Sequence, residues 1–204
     1  MNNTYVMWTL WILAAYLIGS IPFGFLIGKM RGVDVRTVGS KNIGATNVYR
    51  TVGHKWGFLA FFCDFLKGCA PTLLCASFSR EAWWTQNLPV LVGLSTVIGH
   101  TLTCFMKFKG GKGVATAFGM LMALCPVLVS LAFLLFVITV WLSHYISLGS
   151  CLAASAMAIA IWFDWPKEYV LLLKIVMTLL GVFIVVKHRS NIQRLVAGTE
   201  NKIY

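Results

Sequence analysis

The sequence predicts an all-α integral membrane protein, a bundle of about seven transmembrane helices formed by a single domain over residues 1–204. Of the 204 residues, 59% are hydrophobic and only 11% are charged, whereas soluble domains contain about 25% charged residues. The chain also contains several apolar runs close to the length of about 20 residues that a helix needs to cross a bilayer. Together, these observations exclude an ordinary soluble domain.

Candidate membrane spans follow from the apolar runs, which have these bounds: 4–28, 56–79, 88–106, 113–143, 148–163 and 168–186. The fourth run is too long for one ordinary crossing, and it contains Pro126. Because proline interrupts the hydrogen-bond ladder of a helix, this run is either one tilted helix or two helices that meet near Pro126.

The distribution of basic residues favours two crossings in the fourth run. Thirteen of the lysine and arginine residues lie in three polar segments, 29–55, 107–112 and 187–204. Two crossings place all three segments on one membrane face, which the positive-inside rule identifies as cytoplasmic. The resulting bundle has seven helices, with the N-terminus outside and the C-terminus inside, and the helix over 113–125 is short.

A net charge of +11 favours an anionic partner, either an anionic substrate or membrane lipid. The apolar composition argues against nucleic acid. Part of the positive excess follows from the positive-inside rule, so charge alone does not define a site. The six cysteines form no C-x-x-C pattern and lie mostly inside apolar runs, which predicts neither a disulfide framework nor a zinc site.

For ionisable residues in or near the apolar runs, a structural role is a simpler interpretation than a functional one. Asp64 and Lys67 lie three residues apart within the second run, a spacing that predicts a buried ion pair. His54, His100 and His144 lie at predicted helix ends, where histidine is common without a function. The sequence alone assigns none of them to a site.

The segment GSKNIGATNVYR, residues 39–50, has neither helix nor strand periodicity and is predicted to be an ordered loop. Gly39 and Gly44 allow tight turns that present backbone N–H groups, and Lys41 and Arg50 add positive charge. The alternative is a positive-inside loop whose side chains cap the next helix. Its polarity beside two other basic segments favours anion binding.

The segment MKFKGGKG, residues 106–113, contains three glycines among three lysines. Gly110, Gly111 and Gly113 let the backbone fold closely around a ligand, with Lys109 and Lys112 alongside. A helix that begins near its end would point its first N–H groups at a phosphate. The nucleotide-binding pattern GxxxxGK[ST] is absent from the sequence. A flexible cytoplasmic turn explains the lysines but not the glycines.

The C-terminal basic segment and the SLGS stretch carry further candidate groups. His188 and Asn191 are three residues apart, a spacing that places them on one face of a helix. Glu200 is predicted to form a buried pair with a lysine or arginine. Ser147 and Ser150 open the sixth predicted helix, where an N-cap or a packing role comes first and substrate contact second.

These segments together resemble the acyl-phosphate-dependent glycerol-3-phosphate acyltransferases, the PlsY family of bacterial inner membranes. The similarity runs in family order across nearly the whole chain, in the stretches LIGSIPFG, GSKNIGATNVYR, CDFLKG, FKGGKGVATAFG, SLGS and KHRSNIQRLVAGTENK. One departure follows Gly99-His100, where family members carry an aromatic residue, proline and valine. Here the residues are Thr101, Leu102, Thr103 and Cys104.

The resemblance implies transfer of an acyl group from acyl phosphate to the 1-hydroxyl of glycerol 3-phosphate. The products are lysophosphatidate and inorganic phosphate, in the first acylation step of phospholipid synthesis. It further implies a multi-pass protein of the bacterial inner membrane whose active site faces the cytoplasm. The family uses neither a metal nor another cofactor, and the enzyme that makes acyl phosphate is a candidate partner.

The resemblance also assigns residues to the site. The implied catalytic residues are Ser40, Lys112 and His188. The implied substrate-binding residues are Asn47, Arg50, Lys109, Gly110, Gly111, Gly113, Ser147, Ser150 and Asn191. Which of the two serines contacts glycerol 3-phosphate stays open.

The proton acceptor has two candidates. No histidine in the chain is followed five residues later by an acid, so the His-x4-Asp pair of many soluble acyltransferases is absent. Either His188 takes the hydroxyl proton, or a substrate phosphate takes it while the protein positions and neutralises the reactants. Acyl phosphate is already activated, which favours the second.

Two other functions are compatible with basic segments in a membrane protein. A transporter for a phosphorylated metabolite would need polar residues along a path through the bilayer, whereas here they cluster on one predicted face. A structural protein that holds anionic lipid would not need the glycines of 110–113.

Overall fold

A computed structural model describes residues 2–78 and 83–203, with side chains over 5–78 and 86–203. Every regular element in these ranges is a helix. The α-helices are α1 (Asn2–Ser20), α2 (Phe23–Met30), α3 (Ala45–Thr51), α4 (His54–Phe78), α5 (Trp83–Thr101), α6 (Val114–Leu124), α7 (Pro126–Ser143), α8 (Ile146–Ala160), α9 (Leu171–Lys187) and α10 (Arg189–Val196). Short 3₁₀ turns occur at Cys104–Met106 and Ile161–Phe163.

Several of these helices have the length and composition of membrane spans. Five candidates are Tyr5–Met30, which joins α1 and α2, then α4, Gln86–Met106, α7 and Ile146–Phe163. The pair α9 and α10, bent by 55°, is a sixth, and α6 is apolar but only 11 residues long. The predicted class, an all-α chain with several membrane-length helices, is confirmed. The predicted end of the second run at residue 79 lies outside the described residues.

The predicted break at Pro126 is confirmed, because α6 ends at Leu124 and α7 begins at Pro126. Proline suits the first position of a helix, where an N–H group would have no intrahelical partner. A second break, not predicted, divides the first apolar run: α1 ends at Ser20 and α2 begins at Phe23, after Pro22.

The chain forms two compact units, Met1–Leu124 (the N-terminal unit) and Cys125–Tyr204 (the C-terminal unit). Each is described by itself, and the single domain over 1–204 stays a prediction. In the N-terminal unit, α4 packs on α6 and α5, and α1 packs on α5. A Cβ at Gly68 of α4 would overlap the carbonyl of Thr116 in α6, and one at Gly119 of α6 would overlap the carbonyl of Phe65. Glycine on both helices therefore allows their backbones to approach closely.

In the C-terminal unit, α8 packs against both α7 and α9, and α10 contacts α8 and α9. Gly149 of α8 faces Phe136 of α7, and Gly181 of α9 faces Ala154 of α8. The end of the chain returns to the turn between α7 and α8, where the Ile203 N–H donates to the His144 carbonyl at 2.9 Å. This return places the tail beside the start of α8.

Candidate active site

The segment 39–50 is a loop only over its first half. The prediction of a continuous loop is wrong from residue 45 onward, because α3 begins at Ala45 after an extended Gly44. Tertiary packing stabilises this short helix: Tyr49 lies against Gly57 of α4, where a Cβ would overlap the Tyr49 backbone. Tyr49 also stacks on the His54 ring, with centroids 4.3 Å apart.

Asn47 fixes the conformation of the loop before α3. Its Oδ1 accepts from the Ser40 N–H at 2.9 Å, and its Nδ2 donates to the carbonyls of Val35 at 2.8 Å and Val38 at 3.2 Å. Gly39 has φ +57, and a Cβ there would overlap Asn47 Oδ1. Since the Asn47 side chain is buried and bonded to the backbone, the role its geometry supports is to shape the loop.

The two other predicted groups of this segment are accessible to different degrees. Ser40 is exposed, and Arg50, in the last turn of α3, is half-buried. The Asn47 hydrogen bonds therefore hold the loop in a shape in which Ser40 is exposed.

The glycine segment, defined here as residues 107–113, is held by the end of α5. The Gly110 N–H donates to the Thr101 carbonyl and the Gly111 N–H to the His100 carbonyl, each at 3.1 Å. A Cβ on Gly110 would overlap the His100 carbonyl, and Gly113 has φ +85. Close approach and a left-handed conformation thus explain these glycines.

The N–H groups of Gly110 and Gly111 donate to protein carbonyls. An anion bound at this segment would therefore need hydrogen bonds from other groups. The first N–H groups of α6, which begins at Val114, lie beyond the intrahelical ladder. Lys109 is exposed and Lys112 is half-buried. These two lysines, the exposed Lys107 and the start of α6 are groups that could attract a phosphate.

A buried charge cluster lies behind the glycine segment, and only part of it was predicted. Lys67 Nζ lies 2.8 Å from Asp64 Oδ1, which confirms the ion pair. The same ammonium group donates to the Ile21 carbonyl at 2.9 Å, at the break between α1 and α2. His100 Nδ1 is 3.5 Å from Asp64 Oδ1. Sequence reasoning missed the position of His100, because nothing in the spacing relates it to Asp64.

Glu200 is the centre of a second polar cluster, in the C-terminal unit. Its Oε1 accepts from Ser147 Oγ at 3.0 Å and from Asn191 Nδ2 at 2.6 Å. Its Oε2 accepts from Arg194 Nε at 2.7 Å, which confirms the predicted pairing with a basic residue, although only the acid is buried and Arg194 is half-exposed. Burial raises the pKa of Glu200, but the hydrogen bonds from Asn191, Arg194 and Ser147 outweigh it and hold the pKa below the ordinary 4.5.

The two serines of SLGS differ in their partners. The N-cap interpretation is wrong for both, because α8 begins at Ile146 and its N-cap is Tyr145. Ser150 Oγ donates within the helix to the Ile146 carbonyl at 2.9 Å. Ser147 instead reaches the Glu200 cluster, so its hydroxyl shares an acceptor with Asn191.

His188 is buried at the bend between α9 and α10. Its Nδ1 is 2.8 Å from the Ile184 carbonyl. In the neutral ring this contact places the proton on Nδ1 and leaves Nε2 as an acceptor, whereas the protonated ring donates from both nitrogens. His188 and Asn191 thus lie in the same unit within one turn, as their spacing predicts.

Comparisons with known proteins agree with the motifs. The family model described as glycerol-3-phosphate acyltransferase matches residues 9–198. The glycerol-3-phosphate acyltransferase of Trichlorobacter lovleyi is 48% identical over 192 residues, covering 94% of this chain and 95% of its own length. That of Fusobacterium nucleatum is 41% identical over 192 residues, with 94% and 95% coverage.

Solved structures of similar fold are also enzymes of this kind. The crystal structure of PlsY (YgiH), an integral membrane glycerol 3-phosphate acyltransferase, in its glycerol 3-phosphate form, has a TM-score of 0.86 and 40% identity. The match covers 96% of this chain and 95% of the solved chain. The lysophosphatidic acid form has a TM-score of 0.83 and 39% identity, with the same coverage.

The Glu200 cluster predicts a pH-dependent attachment of the tail. A carboxyl group whose pKa is lower in the folded than in the unfolded state stabilises the fold above its unfolded pKa, and this contribution is lost as pH falls through the folded pKa. We expect the Ile203 amide, bonded to His144, to exchange faster as pH falls below about 4.5, after correction for intrinsic exchange. Glu200→Gln should exchange faster at pH 7 and show a weaker pH dependence. Equal pH profiles for both proteins would contradict the assignment.

Proposed function

Because the chain belongs to the glycerol-3-phosphate acyltransferase family, we propose that it uses acyl phosphate as the acyl donor and forms lysophosphatidate and inorganic phosphate. The bond between the acyl carbon and the phosphate oxygen breaks, and an ester to the 1-hydroxyl of glycerol 3-phosphate forms. The observation that carries the proposal is the match to this family over residues 9–198. It includes the basic glycine segment and the loop before α3.

Electrostatics supports a reaction between two phosphorylated substrates. Hydrogen bonds that involve a charged group contribute about 1.5–3 kcal/mol each, so several cationic donors can hold two anionic groups that repel each other. We assign this role to Arg50, Lys109 and Lys112, with the exposed Ser40 as a further donor. Gly110, Gly111 and Gly113 shape the backbone beside the lysines, and Asn47 shapes the loop that carries Ser40.

The family motifs also assign substrate binding to His188, Asn191 and one of the two SLGS serines. Of the two serines, Ser147 is the better candidate for contact with glycerol 3-phosphate, because Ser150 Oγ is bonded within its own helix. A protonated His188 would donate from Nδ1 to Ile184 and from Nε2 to a phosphate oxygen. Because acyl phosphate is already an activated donor, we assign the hydroxyl proton to a substrate phosphate.

The acyl chain explains why such a site belongs at a membrane. Transfer of each methylene from water to hydrocarbon is favourable by about 0.8 kcal/mol. A site at the boundary leaves the chain in lipid while the phosphates meet basic residues. We therefore propose the bacterial inner membrane, with the active site on the cytoplasmic side and the enzyme that makes acyl phosphate as a partner.

The topology follows from the same basic segments. The broken α1–α2 span, α4, α5, the short α6, α7, α8 and α9 would give seven crossings, with the N-terminus outside and the C-terminus inside. This arrangement obeys the positive-inside rule. In it, the exposed Ser190 is cytoplasmic and the exposed Glu168 is external.

Cysteine labelling tests this topology. In intact spheroplasts, a membrane-impermeant maleimide should label Glu168→Cys above the wild-type background and should label Ser190→Cys only after the membrane is opened. The two variants are each other's control. External labelling of Ser190→Cys would contradict the seven-crossing arrangement.

A donor-resolved assay tests the reaction. Purified protein should release phosphate from palmitoyl phosphate in step with the formation of labelled lysophosphatidate, and only when glycerol 3-phosphate is present. Palmitoyl-CoA and palmitoyl carrier protein should not replace palmitoyl phosphate. Activity with palmitoyl-CoA alone would overturn the proposed donor, and failure to acylate glycerol 3-phosphate with any donor would overturn the function.

Two substitutions test the assigned side chains. Lys112→Ala and His188→Ala should each lower kcat/KM by about 100-fold or more, the loss expected for a preorganised donor to developing charge. Lys112→Ala should keep a thermal stability close to that of wild type, whereas His188→Ala removes a buried ring, so its activity is compared per folded protein. Lys202→Ala, which removes an exposed lysine of the tail, is the control for charge and should stay near wild-type activity. Wild-type turnover in a folded Lys112→Ala or His188→Ala protein would remove that residue from the site.

A further inference from the structure

We propose that His100 is a positioning residue that holds the glycine segment in its phosphate-binding shape, with its ring set between Asp64 and Gly111. This inference rests on the proposed function only in the ligand it names. Its structural part concerns the N-terminal unit alone. None of the catalytic or binding roles assigned above involves His100.

The first step is the burial of the ring and its surroundings. His100, Asp64 and Lys67 are all buried, and an ionised carboxylate there is stable only with charged or hydrogen-bonding neighbours. Lys67 provides one such neighbour, at 2.8 Å from Asp64 Oδ1. His100 Nδ1, at 3.5 Å from the same oxygen, is a second polar neighbour. Asp64 therefore favours the ring orientation in which Nδ1 faces α4.

The second step is the opposite edge of the ring. Nε2 lies against Gly111, since a Cβ built on that glycine would overlap Nε2 and contact the adjacent ring carbons. The backbone of His100 also binds this residue, because its carbonyl accepts from the Gly111 N–H at 3.1 Å. One residue thus supports Gly111 from the side and through the main chain.

The third step is the connection from Gly111 to the start of α6. Lys112 and Gly113 separate Gly111 from Val114, the first residue of α6, and α6 packs closely on α4 through Gly68 and Gly119. The helix that carries Asp64 therefore also fixes the helix that follows the glycine segment. One edge of the His100 ring is held by Asp64 of α4, and the other edge contacts Gly111. The ring therefore fixes the position of Gly111 relative to α4.

Three variants separate this role from a general contribution to packing. His100→Asn keeps an amide near the position of Nδ1 but lacks an atom against Gly111. His100→Gln places its amide near the position of Nε2, and His100→Ala removes both. Val92→Ala is the matched control, because Val92 is a buried residue of the same helix that packs in a separate cluster with Ala15, Cys75 and Leu88.

Two readouts are measured on the full-length protein: KM and kcat for palmitoyl phosphate and glycerol 3-phosphate, and hydrogen exchange of residues 107–113. We expect His100→Ala and His100→Asn to raise the KM of at least one substrate by about tenfold, as for one misplaced hydrogen bond to a phosphate, with a smaller change in kcat. Exchange over 107–113 should be faster. His100→Gln should restore both towards wild type, and Val92→Ala should change neither.

The other outcomes overturn the proposal. Unchanged KM and exchange in all three variants would do so, as would equal defects in His100→Gln and His100→Asn. A loss of thermal stability with no change in KM, as in Val92→Ala, would show a purely structural role. If His100→Ala does not fold, the Asn and Gln pair decides. If the wild-type protein acylates no substrate, the proposed function fails, and exchange over 107–113 alone decides whether His100 holds the segment.

Discussion

The rest of this structure depends on one constraint: each buried polar group in this apolar chain must be paired within the protein. A charge or amide that is buried away from water needs partners from the protein, at bilayer depth or in a polar segment. Asp64 meets this requirement with Lys67, and Asn47 does so with three backbone groups. Glu200 does so with three donors at once. These internal contacts shape the segments that carry exposed or half-buried cations.

Because of that constraint, neighbouring polar residues have different roles: some can bind an anion, and others hold the backbone. Ser40 and Lys109 are exposed, and Arg50 and Lys112 are half-buried, so they can reach an anion. Asn47, by contrast, is buried against the backbone. Motif residues of similar polarity therefore have different relations to a ligand, and their burial separates them more clearly than their residue types do.

Composition was sufficient to predict the all-α class, and proline placement together with the distribution of basic residues predicted the break at Pro126. The ion pair of Asp64 with Lys67 was also predictable, because residues three apart meet on one helix face. Helix α3 was not predictable from periodicity, since tertiary contacts stabilise it: Tyr49 lies against Gly57 of α4, and Val48 packs in a buried cluster with Val35. Likewise, nothing local in the sequence relates His100 to Asp64. Most candidate site residues came from the family motifs rather than from spacing.

The Glu200 cluster has a consequence for how such sequences can diverge. Ser147 and Glu200 are 53 positions apart, yet the hydroxyl, the amide of Asn191 and the guanidinium of Arg194 all converge on one carboxylate. Replacing Glu200 removes the shared acceptor of three donors. Replacing any one donor leaves the buried carboxylate with fewer hydrogen bonds. Evolution is therefore expected to change these four positions jointly, so that position 147 covaries among homologues with the three positions near the end of the chain.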